Sequence, residues 1–234
     1  MARIFSVSVL KQIVSAAAMA GILSGLLLTA LQQIQVVPLI LQAEVYEQTA
    51  EAASHSSHEH TAGGHEHEAW RPSDGWERTL FTATANIVLA LGFALLLGAA
   101  ISLCGKTIDW RAGLLWGVAG YVVFFVAPSL GLPPEVPGTE AAHLHDRQIW
   151  WLMTTVSTAT GLSLLVFART WLIKVVGVVL LGVPHLIGAP QPPIHRSAAP
   201  AELAITFKYA TAFANAVFWL SLGGLIGFFH KKTA

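Results

Sequence analysis

Five histidines and three glutamates crowd into residues 54–70, SHSSHEHTAGGHEHEAW, in a chain that is otherwise mostly apolar. His55, His58, His60, His65 and His67 follow the spacing H-x2-H-x-H-x4-H-x-H. Neutral imidazole is a good ligand for Co2+, Ni2+, Cu2+ and Zn2+, and carboxylates can complete the shell. Neither paired cysteines nor a fixed helical context accompanies the run, so it does not read as a closed zinc site. Such a cluster takes several divalent ions and ranks copper above cobalt in the Irving–Williams order. It therefore predicts metal capture, with selectivity supplied elsewhere. The plainer alternative is a hydrophilic low-complexity linker.

Other residues could handle a metal deeper in the chain. A polar side chain in lipid is costly and usually has a task. By that rule Asn86, Asn215, Gln32 and Gln33 are candidates, with Thr82 and Thr211 in the small polar segments TATAN (82–86) and TAFAN (211–215). His185 follows Pro184, which removes a backbone donor and leaves carbonyls beside an imidazole. Interhelical hydrogen bonding is the plain reading for the asparagines, and an interfacial hydrogen bond is the plain reading for His185. Lys208 and Asn215 are seven residues apart, on one helical face. Glu44, Glu47 and Glu51 line one face of a helix that continues beyond the first span, as an acidic guide or as a solvated face. His143, His145 and Asp146 are further possible ligands.

These groups must be positioned by a membrane bundle. The 234 residues are 54% hydrophobic and 11% charged, with a mean hydropathy of +0.62. Soluble domains carry about 25% charged residues. Lys plus Arg equals Asp plus Glu, 13 against 13, so net charge selects no nucleic-acid partner. The single cysteine, Cys104, permits neither an internal disulfide nor a thiolate cage. Roughly 20 helical residues cross about 30 Å of hydrocarbon. Six stretches are read as spans, at about 12–37, 79–104, 111–131, 148–168, 171–188 and 204–229. The fifth is the weakest, with Lys174 near its start and Pro184 near its end. The first continues past AAAMA (16–20) and reads as an uncleaved anchor.

The positive charges orient the bundle. With the amino terminus inside, eight cations (Arg3, Lys11, Lys106, Arg111, Arg169, Lys174, Lys231, Lys232) fall inside and four (Arg71, Arg78, Arg147, Arg196) outside. Asp109 is the one acid inside. The expectation is a plasma (inner) membrane protein with both termini cytoplasmic. The loop 38–78, with its His-rich segment 54–68, is then extracytoplasmic.

The chain also repeats itself. Each outward span meets proline near its outer end (VVPLI, VAPSLGLPP, GVPHLIGAPQPP), and each inward span carries a small polar segment (TATAN, TATG, TAFAN). Three helical hairpins built on one plan are expected, and transporters often bind substrate where repeats meet. Gly21/Gly25, Gly113/Gly117 and Gly223/Gly227 have the spacing that lets helix backbones approach. No phosphate-binding loop, H-E-x-x-H helix, G-x-S-x-G elbow or C-x-x-C pair occurs, so an enzyme is not expected.

The strings GLLLTALQQIQVVPLILQAEVYE (25–47), GWERTLFTATAN (75–86), GLPPEVPG (131–138), DRQIWW (146–151) and PHLIGAPQP (184–192) resemble CbtA, a family of proposed cobalt transporter subunits. The similarity runs over nearly the whole chain. It implies cobalt uptake linked to cobalamin biosynthesis, and a small companion with one span and its own His-rich tail. The family is described with five spans, one fewer than the six read here. Taken together, the expectation is an all-α permease or permease subunit importing Co(II), with Ni(II) or Zn(II) as close variants and no permanently bound cofactor. Lipid and the companion are its partners, and a homo-oligomer is compatible. The contrasting reading is a non-transporting metal-sensing or buffering subunit, or a scaffold for an importer.

Overall fold

The computed structural model describes residues 7–56, 72–104 and 108–233. They form α1 (Val7–Leu31), α2 (Val37–Ser56), α3 (Trp76–Leu103), α4 (Trp110–Tyr121), α5 (Ala127–Ser129), α6 (Leu144–Phe167), α7 (Trp171–Ile187) and α8 (Ala201–Thr233). Single turns of π-helix, Gln32–Val36 and Val122–Val126, join α1 to α2 and α4 to α5 without a break. Among the described residues the one β-feature is an isolated antiparallel bridge between Thr139 and Ser197.

Both π turns have the same cause in sequence. Pro38 and Pro128 each lack a backbone donor, and each ring crowds the carbonyl four residues back, which belongs to Ile34 or Phe124. The chain relaxes by widening one turn there. The Val37 N–H bonds the Gln32 carbonyl and the Ala127 N–H bonds that of Val122, five residues back in each case. Such bulges recur at functional positions.

Five continuous helices are long and apolar enough to cross a membrane: Leu10–Ala53, Trp76–Leu103, Trp110–Ser129, Leu144–Phe167 and Ala201–Lys232. Their outward faces carry exposed Val88, Leu115 and Val166, as a lipid-facing bundle requires. α7 is apolar but has 17 residues, about 26 Å at helical rise. It ends at Gly188, whose φ of +87° is a backbone state that favours glycine.

Glycine decides which helices pair. A Cβ on Gly25 would come within 2.7 Å of the Ile87 backbone, and one on Gly117 within 2.3 Å of the Trp219 carbonyl oxygen. One on Gly161 would come within 2.7 Å of the Gly177 carbonyl oxygen. The close pairs are therefore α1 with α3, α4 with α8, and α6 with α7. α1 also packs along α8, so α1, α3, α4 and α8 make a central bundle flanked by the α6–α7 pair. The first expected hairpin is present as a close pair. The partners of α4 and α6 come instead from later in the chain, because α8 brings Gly223 and Gly227 to α4 and α7 brings Gly177 to α6.

The segments before α6 and after α7 are tied together. The Glu140 N–H donates to the Arg196 carbonyl at 2.9 Å, and the Ala198 N–H to that of Gly138 at 3.0 Å. Both segments therefore lie at one end of the bundle, the end from which α8 starts.

Candidate functional site

Polar side chains bridge the long first helix and α3 in a series that runs inward from the bridge-bearing end. At the rim, Arg78 Nη2 donates to Glu44 Oε1 at 2.7 Å and Nη1 to Glu44 Oε2 at 3.1 Å. Arg78 Nη1 also donates to Asp74 Oδ1 at 2.8 Å. This fork occupies the carboxylate that the sequence offered as a guide for cations. A cavity of about 360 Å3 opens beside it, lined by Glu44, Gln48, Pro72, Ser73, Asp74 and Arg78.

Further in, Gln33 Nε2 donates to Thr79 Oγ1 at 2.9 Å. Then Asn86 Nδ2 donates to Gln32 Oε1 at 2.7 Å and to Thr29 Oγ1 at 3.1 Å. Asn86 and Thr29 are buried. The π turn lets the adjacent Gln32 and Gln33 both reach α3, at positions seven residues apart on that helix. Interhelical hydrogen bonding, the plain reading of Asn86, is what its amide group does. One turn inward, Gly25 closes on Ile87 and then Gly21 on Leu91, and the polar series ends.

Elsewhere the candidates are dispersed. Asn215 Nδ2 donates to the Thr211 carbonyl of its own helix at 2.9 Å. The Thr211 hydroxyl is buried without a hydrogen-bond partner. Tyr121 hydroxyl donates to the neighbouring Ala212 carbonyl at 3.1 Å. Thr82 bonds the Arg78 carbonyl of its own helix. Lys208 is exposed on α8, which suits a side chain reaching along the surface to the interface.

His185 lies in the last turn of α7, half-buried, with its ring 6.0 Å from that of Trp150 in an edge-on arrangement. Trp150 Nε1 donates to the Pro184 carbonyl at 3.2 Å. α7 packs chiefly on α6. His185 is therefore set on the α6–α7 pair, apart from Asn86 on α3 and Asn215 on α8. His143 and His145 are exposed at the start of α6.

Among the described residues, no three His, Cys, Asp or Glu side chains gather closely enough to hold a metal ion. His58, His60, His65 and His67 lie outside the described residues, and His55 is on the last turn of α2. Sequence reasoning missed Thr29, Thr79 and Arg78 as partners. For Thr29 the signal was its spacing, three residues before Gln32 and so on the same helical face.

A protein-family model described as "Probable cobalt transporter subunit (CbtA)" matches residues 10–231. No curated protein and no solved structure matches the chain.

Proposed function

The chain belongs to the family of probable cobalt transporter subunits, CbtA, and on that premise we propose that it is the membrane subunit of a divalent-cation importer with Co2+ as substrate. The His-rich segment 54–68 captures metal on the extracytoplasmic side of the plasma membrane. The bundle then passes the ion inward, in support of cobalamin biosynthesis. Both termini are cytoplasmic, and α7 is a sixth crossing that returns the chain to the outer side. A small single-span partner with its own histidines completes the transporter.

The observation that carries this reading is the polar series Glu44–Arg78, Gln33–Thr79 and Gln32–Asn86. It lines the seam between the first helix and α3 from the rim inward. Neutral amide and hydroxyl oxygens suit brief contact with a divalent ion rather than retention, because its preferred nitrogen ligands are absent there. An inside-negative potential pulls a divalent cation inward by about 4.6 kcal/mol per 100 mV, twice the single-charge value. That driving force needs no nucleotide site on this chain.

A second reading has its own support. Because Asn86, Asn215 and His185 point to separate neighbours, a metal-sensing or buffering subunit that moves no ion also fits. Cellular cobalt, measured by elemental mass spectrometry in cells lacking their own importer, separates the two. Supplied with the companion, the intact chain should raise cobalt. Deleting 54–68 should weaken uptake mainly at low external metal, and Asn86→Leu should reduce it at all concentrations. His185→Ala tests whether the α6–α7 pair takes part. Unchanged cobalt with the intact chain would overturn the import reading and leave the sensor.

A further inference from the structure

Inward of the polar series the bundle changes character, and one aromatic ring stands at the change. Phe124, in the second π turn, stacks on Trp219 of α8 with centroids 5.4 Å apart and planes at 7°. It also meets Phe93 of α3 at 4.9 Å and Trp151 of α6 at 6.3 Å. Phe93 touches Trp219 in turn, at 4.8 Å. Phe124 is thus the ring on which α3, α6 and α8 meet. Gly120 holds the other side of this cluster, since a Cβ there would come within 2.3 Å of the Trp219 ring.

The two sides of the cluster differ. Asn86 lies two turns outward of Phe93 on α3, and Thr211 two turns outward of Phe218 on α8. The first π turn, carrying Gln32, also packs on α8. On the inner side Leu97, Ile101, Leu222 and Ile226 are buried and wholly apolar. Gly113 and Gly117 lie there in backbone contact with α8. Between α3 and α8 the described buried side chains therefore include polar groups outward of the aromatic level and are apolar inward of it as far as Ile226, while the buried hydroxyls of Thr155 and Thr158 belong to α6.

We propose that Phe124 is the gate residue of this chain, its ring sealing the polar outer half from the closed inner half, with the π turn Val122–Val126 as the element that moves it. A π turn holds one residue more than the α-helical ladder needs. Returning it to α geometry, or shifting the wide turn along the helix, rotates Phe124 relative to α3 and α8 by about one residue's turn, near 100°. The stacked contact with Trp219 cannot survive that rotation. The proposal rests on the chain passing cations, and its test reads the reach of a thiol reagent rather than cobalt uptake, so the two can fail separately.

The test reads thiol labelling in sealed vesicles, in a Cys104→Ser background, with a membrane-impermeant cationic methanethiosulfonate on the outer side. Gln33→Cys reports the outer half and Leu97→Cys the inner half. Gln33→Cys should label and Leu97→Cys should resist. Adding Phe124→Ala should speed labelling of Leu97→Cys at least tenfold, while Phe124→Leu, which keeps most of the volume, should leave it slow. If Phe124→Ala does not elute as a folded protein in detergent, Phe93→Ala opens the same contact from α3 and carries the same expectation. Labelling of Leu97→Cys that is already as fast as that of Gln33→Cys would overturn the gate. So would no acceleration in a folded variant.

Discussion

Gly113 and Gly223 pack so closely that a methyl group on Gly113 would stand 2.3 Å from the Gly223 carbonyl oxygen. α4 and α8 lie backbone to backbone at this level, and neither can retreat without uncovering Ile226 and Leu222. Overpacking a tight interior costs about 1–3 kcal/mol and occasionally more. Gly113→Val should therefore abolish recovery of monodisperse protein. Gly92→Ala and Gly182→Ala meet nothing within 4 Å and should keep or slightly raise the unfolding temperature in detergent. Equal behaviour of Gly113→Val and Gly92→Ala would refute the pairing of α4 with α8.

Asn86 tests what the polar series contributes to stability. Hydrogen bonds between membrane helices are worth about 0.6–2 kcal/mol. Asn86→Ala should lower the unfolding temperature by a few degrees, at about 2–4 °C per kcal/mol for a chain of this size. In a double-mutant cycle, Asn86→Ala and Gln32→Ala should be less than additive, because each removes the same 2.7 Å bond. Full additivity would mean that the bond contributes nothing.

Pro38 is the cause assigned to the first π turn, and its removal gives a local readout. In a Cys104→Ser background, Gln33→Cys with Thr79→Cys should be joined readily by a short bifunctional thiol reagent, since the native side chains meet in a hydrogen bond of 2.9 Å. Pro38→Ala permits a regular helix, which turns residue 33 relative to α3, so cross-linking should fall severalfold. An undiminished yield would show that the wide turn does not depend on the proline.

The proposed crossing by α7 can be checked without any metal. Thr139 and Ser197 hydroxyls lie 3.1 Å apart, and Thr139→Cys with Ser197→Cys should form a disulfide under mild oxidation. Singly, each should be labelled by an impermeant reagent from the outer side, and Arg169→Cys from the inner side alone. Outer labelling at 139 with inner labelling at 197 would leave five crossings.

The sequence made some of this legible. Apolar run length alone marks α3, α4, α6 and α8, and the unbroken helix formers after Pro38 extend the first helix through Ser54. Two features were hidden for physical reasons. QQIQVVP and VVFFVAP show a proline, but whether the strain appears as a kink or as a π turn depends on the helices packed beside it. Glycine spacing shows that a helix has a close partner without showing which one. That is why α4 joins α8 rather than its neighbour in sequence. The polar candidates Asn86, Gln32 and Gln33 could be picked out by residue type, whereas the pairing of Gln33 with Thr79 required the extra residue of the π turn.

α2 is a 20-residue helix, about 30 Å long, that ends at Ser56. Pro72, where the described chain resumes, lies beside Glu44 and Gln48 on the same helix. Both attachment points of the intervening histidines are thus fixed to one rigid post above the polar seam. On the proposed capture role, a metal ion held there is a tethered reactant, presented to the seam at an effective concentration of about millimolar. The seam then has no need of tight binding, and weak oxygen ligands that let the ion go quickly become an advantage to turnover.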